Sequence, residues 1–242
     1  MTDYTLGLDL NHYRKDVPLK QAKVQGVRFL IGKCTEGEGY VDETYHPYKL
    51  EAKNKALPFG GYMYWRVSYD AVGQATHYVN TLGDTEFPPL VDVERFNNVK
   101  YGTNIPLYSH NTNVNHLQIV LNEVERLTDR KPMIYTSKYA WEVLTGNHPM
   151  IGDYGLWVAN YGRVVPLLPV GAGDWVLWQF TSTYKITGYY RGVDANWYHG
   201  NEGEFEAWIE SMKPPPPTPT VYLPIILKLD ERLYDGEVVE VE

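Results

Sequence analysis

Leu156-Trp-Val-Ala-Asn-Tyr161, Trp175-Val-Leu-Trp-Gln-Phe-Thr181 and Gly192-Val-Asp-Ala-Asn-Trp197 decide the fold. Each is a short run rich in β-branched and aromatic residues. The segments between them, Gly162 to Asp174 (Gly and Pro) and Ser182 to Arg191 (Thr, Tyr and Gly), show no helical periodicity. Three strands therefore follow one another through loops. Upstream, five runs of the same kind occur at Leu6–Leu10, Val27–Thr35, Gly60–Arg66, Pro89–Glu94 and Met133–Ser137, with helical patterns between them. Near-continuous apolar strands alternating with helices imply parallel strands whose outer face is covered. Five strand-helix units leading into three strands, in a chain near the ~250 residues usual for such barrels, predict an α/β barrel whose second half has lost its helices. An open sheet is the alternative.

The helices are expected around Leu19–Val24, Glu43–Ala56, Ala71–Leu82, Asn113–Leu127 and Tyr139–Leu144, with a closing segment at Glu204–Met212. The fourth is the clearest: Val114, Leu117, Leu121, Val124 and Leu127 recur at helical spacing, and Asn122, Glu123 and Arg126 lie opposite. That stripe is expected to pack against the strands.

The chain of 242 residues, 43% hydrophobic, is long enough to bury a core without staples. Cys34 is the only cysteine, and the seven histidines show no zinc-ligand spacing, so disulfides, a metal and a cofactor are not expected. A formal charge of -8 argues against nucleic acid or an anionic membrane as partner. No apolar run reaches the roughly 18 residues that span a bilayer. The first ten residues enter a strand pattern at once and lack the basic and apolar regions of a signal peptide. Of the rings, 21 are Tyr, 7 Trp and 6 Phe, so most carry a polar handle suited to wet, ring-shaped ligands such as sugars.

One boundary stands out, at Pro214-Pro-Pro-Pro-Thr-Pro-Thr220, which favours extended polyproline geometry. Residues 1–213 are thus expected to form one barrel domain, 214–220 a linker, and 221–242 a short apolar and acidic tail that is too small for its own core. The tail reads as frayed or weakly docked. In the sharper reading, Ile225-Ile-Leu-Lys-Leu229 adds as a strand to this chain or a neighbour.

Chemistry in a β/α barrel collects where the strands end at the C-terminal face. Strand one ends in Asp9, strand four in Val91-Asp-Val-Glu94, and strand eight carries Asp194. Side chains at i and i+2 point to the same side of a strand, which places Asp92 and Glu94 on one cavity. Two neighbouring carboxylates in a semi-apolar site cannot both ionise freely, so one keeps its proton near neutrality while the other stays charged. Glycosidic cleavage needs that division: an acid for the leaving oxygen and a carboxylate for the developing oxocarbenium centre. A hard divalent cation would also accept such a cluster. Aromatic residues gather at the same level, with Tyr62 and Tyr64 sharing one parity and Asn160 and Val158 another.

The chain resembles the glycoside hydrolase family 25 lysozymes, the Chalaropsis-type N-acetylmuramidases, over roughly residues 5 to 210. The motifs stand in family order: Gly7-Leu-Asp9; Ile31-Gly-Lys-Cys-Thr-Glu-Gly37 followed by Tyr40-Val-Asp42; Gly61-Tyr-Met-Tyr64; Leu90-Val-Asp-Val-Glu94; Leu156-Trp-Val-Ala-Asn-Tyr161; Trp178-Gln-Phe180; and Val193-Asp-Ala-Asn196. The resemblance implies an irregular, flattened, TIM-like (β/α)5(β)3 barrel. It also implies retaining cleavage of the β-1,4 bond between N-acetylmuramic acid and N-acetylglucosamine in bacterial peptidoglycan. Carried over by position, Glu94 is the general acid/base and Asp92 its charged partner, with Asp9 and Asp194 completing the acidic cluster. Lys33, Tyr62, Tyr64, Tyr135, Asn160, Trp178 and Gln179 fall where relatives line the sugar groove, although packing beneath the cleft competes as the role of Trp178.

Retention is open between a carboxylate nucleophile and the substrate's own acetamido oxygen. Family members often carry Ser where this chain has Asn11 and His where it has Met63, differences that bear on subsite detail. Cys34, on strand two, reads as a buried apolar thiol. The resemblance implies action on the wall outside the cell; without a signal-peptide pattern the chain reads as cytosolic, exported by another route such as phage-type release, or a processed form, and it is expected to be a monomer unless the tail mediates association. A weakly active wall-binding protein on the same scaffold is the rival reading, and a chitin-type glycosidase a third.

Overall fold

The computed structural model of the protein describes residues 4–94 and 108–213, together with the short strands 228–229 and 232–233. Eight strands close into a barrel: β1 (Thr5–Leu10), β2 (Val27–Glu36), β4 (Phe59–Tyr64), β5 (Leu90–Asp92), β6 (Met133–Thr136), β7 (Gly155–Ala159), β8 (Trp175–Lys185) and β9 (Gly192–Tyr198). The two-residue strand β3 (Tyr40–Val41) folds back on the end of β2. β1, β2 and β4 to β8 run parallel around the barrel. β9 runs antiparallel to both β8 and β1 and closes the ring.

Six helices form where the periodicity predicts them: α1 (Leu19–Val24), α2 (Tyr45–Asn54), α3 (Ala71–Leu82), α4 (His110–Thr128), α5 (Lys138–Thr145) and α6 (Glu202–Ser211). The starts of α3 to α6 carry side-chain caps that satisfy otherwise orphaned amides. Asp70 accepts from Gly73 N, Ser109 from Thr112 N, Ser137 from Ala140 N, and Asn201 forms a reciprocal capping box with Glu204. The α4 stripe packs inward through Val114, Leu117, Val120, Leu121 and Val124. Leu127, in the last turn, is 37% exposed and so departs from the expected face.

Strand alternation sorts the side chains into two layers. Leu6, Leu8, Leu30, Met63, Val91, Ile134, Val158, Val193 and Ala195 point outward into the layer beneath the helices. Phe29, Ile31, Tyr62, Leu90, Met133, Tyr135, Trp157, Leu177 and Tyr198 fill the interior. Gly7 belongs to the interior set for a steric reason: a Cβ there would lie 2.0 Å from the Phe29 ring. Register shifts interrupt the pairing at several places, two of them around the site. Cys34 is the extra residue between β2 and β4, and Val176 the extra one between β7 and β8.

Where helices are absent, rings cover the outer face. Trp175 stacks on His199 at 4.1 Å, Phe180 on Trp197 at 4.7 Å, and Tyr4 meets Trp175 edge-on at 5.3 Å. Much of the aromatic share is therefore cladding for the helix-poor half.

The N-terminal end of the barrel is plugged by α6. Its Phe205 stacks on Phe29 at 5.1 Å, and Trp208 meets Phe87 edge-on at 5.4 Å. The Arg130 guanidinium ties the end of α6 down by donating to the carbonyls of Met212, Thr85 and Glu86. Lys228–Leu229 pairs antiparallel with Arg232–Leu233 and not with the barrel sheet. The expected linker 214–220 and the tail residues 221–227 lie outside the described residues.

Candidate active site

At the other end of the barrel the inward positions turn polar. Asp9, near the end of β1, sits directly opposite Asp194 of β9 in the antiparallel register. Because β9 runs against the other strands, Asp194 reaches this mouth from the start of its strand. On β5, Asp92 lies in register between Tyr64 of β4 and Tyr135 of β6. Pairing continues past the strand's formal end, with Val93 N donating to Tyr135 O at 2.8 Å, and Glu94 thereby keeps the parity of Asp92. The four carboxylates named from the strand ends thus converge on one mouth.

Buried amides and phenols tie the cluster together. Asp9 Oδ2 accepts from Gln179 Nε2 and from Asn196 Nδ2, each at 2.8 Å. Asn196 Oδ1 accepts from Trp157 Nε1 at 2.8 Å. Gln179 Oε1 accepts from the hydroxyls of Tyr135 at 2.8 Å and Tyr161 at 2.5 Å. The Tyr135 hydroxyl also acts on Glu94, favouring its charged form. Asp92 Oδ1 is buried with no hydrogen-bond partner among the described residues.

Removing four carboxylates from water next to one another disfavours their charged forms. Burial, then the charge of Asp194, pushes Asp9 up to about 8 against the pull of its two amide donors. Burial and then Glu94 hold Asp92 well above the usual carboxylate range, opposed by the Lys33 ammonium. Glu94 is raised by burial, with the Tyr135 hydroxyl and Lys33 opposing. Asp194 rises to about 6 through burial, against the pull of Arg14. An ionised Glu94 thus favours the protonated form of Asp92 beside it.

A cationic wall faces the pair. Lys33 is buried and points into the mouth, its Nζ 2.5 Å from Glu36 Oε2 and 4.8 Å from the Tyr64 ring centroid. Arg66 binds the same Glu36 carboxylate and lies 5.5 Å from the same ring. Burial pulls Glu36 upward, but the bonds from Lys33 and Arg66 outweigh it and hold it below the usual range. An open cavity of about 630 Å³ adjoins Glu94, lined among others by Tyr135, Tyr139, Asn160, Tyr161 and Leu167.

Most groove residues carried over by position meet here. Tyr62 and Tyr135 pack edge-on against Trp157 at 6.1 and 4.5 Å, below the acids. Asn160 lines the cavity, and its Oδ1 accepts from Leu167 N at 3.0 Å. Trp178 is placed elsewhere. It lies in the outer layer against Trp175 and Phe180 and donates to Asn160 O at 2.8 Å, so it supports the loop beside the cleft from behind. Cys34 is buried at the bulge, and burial pushes its thiol up to about 12.

Three further residues belong to the site. Asn196 shares the parity of Asp194 two places earlier, a signal present in the sequence. Tyr161 ends a quoted motif, but only the folded loop brings its hydroxyl to Gln179. Glu36 stands three places from Lys33, which strict alternation puts on the opposite face; the bulge at Cys34 turns it to the same side.

The profile of Glycosyl hydrolases family 25 matches residues 8–189. Lysozyme M1 of Streptomyces globisporus is 25% identical over 202 residues, covering 81% of this chain and 68% of its own. An N,O-diacetylmuramidase of Arthroderma benhamiae is 26% identical over 190 residues, covering 75% and 79%. Among solved structures, a family GH25 lysozyme from Aspergillus fumigatus superposes with a TM-score of 0.76 at 28% identity over 84% of this chain and 98% of that one. The bacterial lysozyme from Streptomyces coelicolor shares the fold at a TM-score of 0.78 and 24% identity, over 88% of this chain and 100% of that one. A closed barrel with coupled acids at its C-terminal mouth, matched by the family's profile over most of its length, shows that the chain belongs to glycosyl hydrolase family 25 and is a glycoside hydrolase.

Proposed function

We propose that the protein is a muramidase of the lysozyme type, acting outside the cell to hydrolyse the β-1,4 bond between N-acetylmuramic acid and N-acetylglucosamine in bacterial peptidoglycan, with net retention. The observation that carries this reading is the placement of Asp92 and Glu94 on one face of β5, at the mouth beside the cavity, where the two cannot ionise together. The names of the relatives, lysozyme and N,O-diacetylmuramidase, point to the same polymer.

In this reading Glu94 carries the shared proton and delivers it to the leaving glycosidic oxygen. Asp92, drawn toward its charged form by Lys33 once Glu94 holds the shared proton, stabilises the positive charge that grows at the anomeric carbon. Glu94, now a carboxylate, activates the water that completes hydrolysis. Asp194, ionised above about pH 6, keeps the mouth anionic enough for an oxocarbenium-like centre, with Asp9 opposite it, while Lys33, Tyr62, Tyr64, Tyr135 and Asn160 line the approach.

Mass spectrometry of digested peptidoglycan tests the proposal, since a reducing-end N-acetylmuramic acid is expected. A reducing-end N-acetylglucosamine, or faster digestion of chitin oligomers, would overturn it. Proton NMR of the first product anomer tests retention, with the β-anomer expected.

A further inference from the structure

Six tyrosines among the described residues are 40% or more exposed: Tyr13, Tyr40, Tyr69, Tyr139, Tyr161 and Tyr190. Rings left in water without a task would be scattered over the surface. All six stand instead at the C-terminal mouth: after β1, on β3 against the end of β2, after β4, β6 and β7, and just before β9, whose start lies there. Tyr139 and Tyr161 line the cavity beside Glu94. Tyr13, Tyr40 and Tyr190 belong to the side of β1, β2 and β9, and β1 stands across the closed ring from β6. Rings therefore flank the acids on two opposite sides.

The flank away from the cavity is held in place. The buried Asp42 carboxylate accepts from Thr44 N at 3.0 Å and Thr44 Oγ1 at 2.6 Å through Oδ1, and from His12 N at 3.2 Å and His12 Nδ1 at 2.7 Å through Oδ2. A carboxylate surrounded by donors has no proton to give, so Nδ1 carries the ring proton and a neutral His12 keeps its lone pair on Nε2. That atom has no partner among the described residues. The Tyr13 ring packs at 4.0 Å on His12, and Tyr40 meets His12 edge-on at 6.1 Å. Arg191 ties in the next loop: its Nη1 donates to Tyr13 O at 3.1 Å, and its guanidinium lies 5.1 Å from the Tyr190 ring centroid. Inward, Lys33 Nζ lies 5.6 Å from the Tyr40 ring and 4.8 Å from that of Tyr64, which pairs in register with Asp92. One row of side chains thus runs from the acids to the outer edge.

We propose that His12, Tyr13, Tyr40 and Tyr190 form a distal subsite for a pyranose of the glycan strand, remote from the bond that is cut. The proposal rests on the muramidase reading, since it takes the occupant to be the strand being cleaved. A polymer leaving the cavity on the far side of the acids passes onto this row. The C–H faces of a pyranose match the open faces of Tyr13 and Tyr190, and a sugar hydroxyl can donate to His12 Nε2. A stem-peptide carboxylate offers that lone pair no proton and those rings no flat apolar face.

Strand length makes the test. Stem-free glycan strands, released from peptidoglycan by an amidase and sorted by size, serve as probes, long strands against tetrasaccharides. Tyr13→Ala and Tyr190→Ala should each raise KM for long strands about fivefold, with kcat within about twofold. For tetrasaccharides both parameters should stay within about twofold of the parent. Tyr13→Phe and Tyr190→Phe keep the ring faces and should keep the parental KM. An equal KM rise at both lengths, no rise at either, or Phe variants as weak as the Ala variants would overturn the proposal. A rise confined to strands that keep their stems would identify a peptide contact and overturn it as well. Tyr13 and Tyr190 are 64% and 79% exposed, so their replacement leaves the core untouched.

Calorimetric binding of the long strands to Glu94→Gln reads the subsite without turnover. Adding Tyr13→Ala to that background should weaken binding about fivefold, and unchanged binding would overturn the subsite. Products ending in N-acetylglucosamine would refute the assignment of the bond, while length-dependent binding would still decide the subsite.

Discussion

The two ends of the barrel are built from the same strands with the same parity, and they are chemical opposites. At the N-terminal end the inward positions are Phe29, Leu90, Met133, Leu177 and Tyr198, sealed by Phe205 and Ile209 of α6. At the C-terminal end they are Asp9, Lys33, Asp92, Tyr135, Gln179 and Asn196, all buried as well. Trp157 lies between the two layers, its ring packed on Tyr135 and its N–H bonded to Asn196. Burying rings stabilises one end, and burying carboxylates destabilises the other. A barrel separates the two along its axis, so the site can hold strained protonation states while the plug supplies the stability they consume.

Cutting the plug should affect stability alone. Phe205→Ala should cost about 3–5 kcal/mol in denaturant unfolding, with the activity per folded molecule unchanged. A loss of activity exceeding the loss of folded protein would break the separation. The reciprocal change at the mouth is Glu94→Gln, which should lower clearing of peptidoglycan by about 10²- to 10³-fold. Its melting temperature should equal or exceed the parent's, because a raised, buried acid is replaced by a neutral amide.

The contrast also predicts a pH dependence of stability. Asp9 has an ordinary value of 3.8 and rises to about 8 in the fold, and Asp194 rises to about 6, so between these limits the folded chain binds more protons than the unfolded one. Their stabilisation is complete below the ordinary value and is lost as pH rises through the folded values. Glu36 and Asp42 are held low and act oppositely, losing their contribution as pH falls below the normal carboxylate range. Thermal unfolding should therefore show the highest melting temperature at mildly acidic pH, with a fall of about 5 °C by pH 8. Asp9→Asn should flatten that fall, and a slope unaffected by the substitution would show that the mouth is not its source.

The smallest effect is expected from deleting residues 214–242. Both ends of the barrel are complete by Ser211, and the family match ends at residue 189. The melting temperature should move by less than about 2 °C, with activity within about twofold. A larger loss would make the tail part of one of the two ends.

Much of this contrast was legible before the fold was known, because it is local. Strand and helix periods, caps such as Asp70 and Ser109, and the shared parity of Asp92 and Glu94 depend on neighbours a few residues away. Ring content was legible too, but its destination was not: Trp175, Trp178, Phe180 and Trp197 cover an outer face that lacks helices, and they do not line a sugar groove.

By itself the sequence determined the eight strands, the six helices, the helix-poor second half and the four acids at strand ends. Only the tertiary structure decided that β9 runs antiparallel and brings Asp194 to the mouth from its own beginning. The fold likewise placed a bulge at Cys34, which turns Glu36 toward Lys33, and joined Tyr161, Gln179 and Asp9 across 170 residues of chain. The physical reason is that alternation is a property of one strand, whereas direction, register and hydrogen-bond polarity are properties of a strand and its partner.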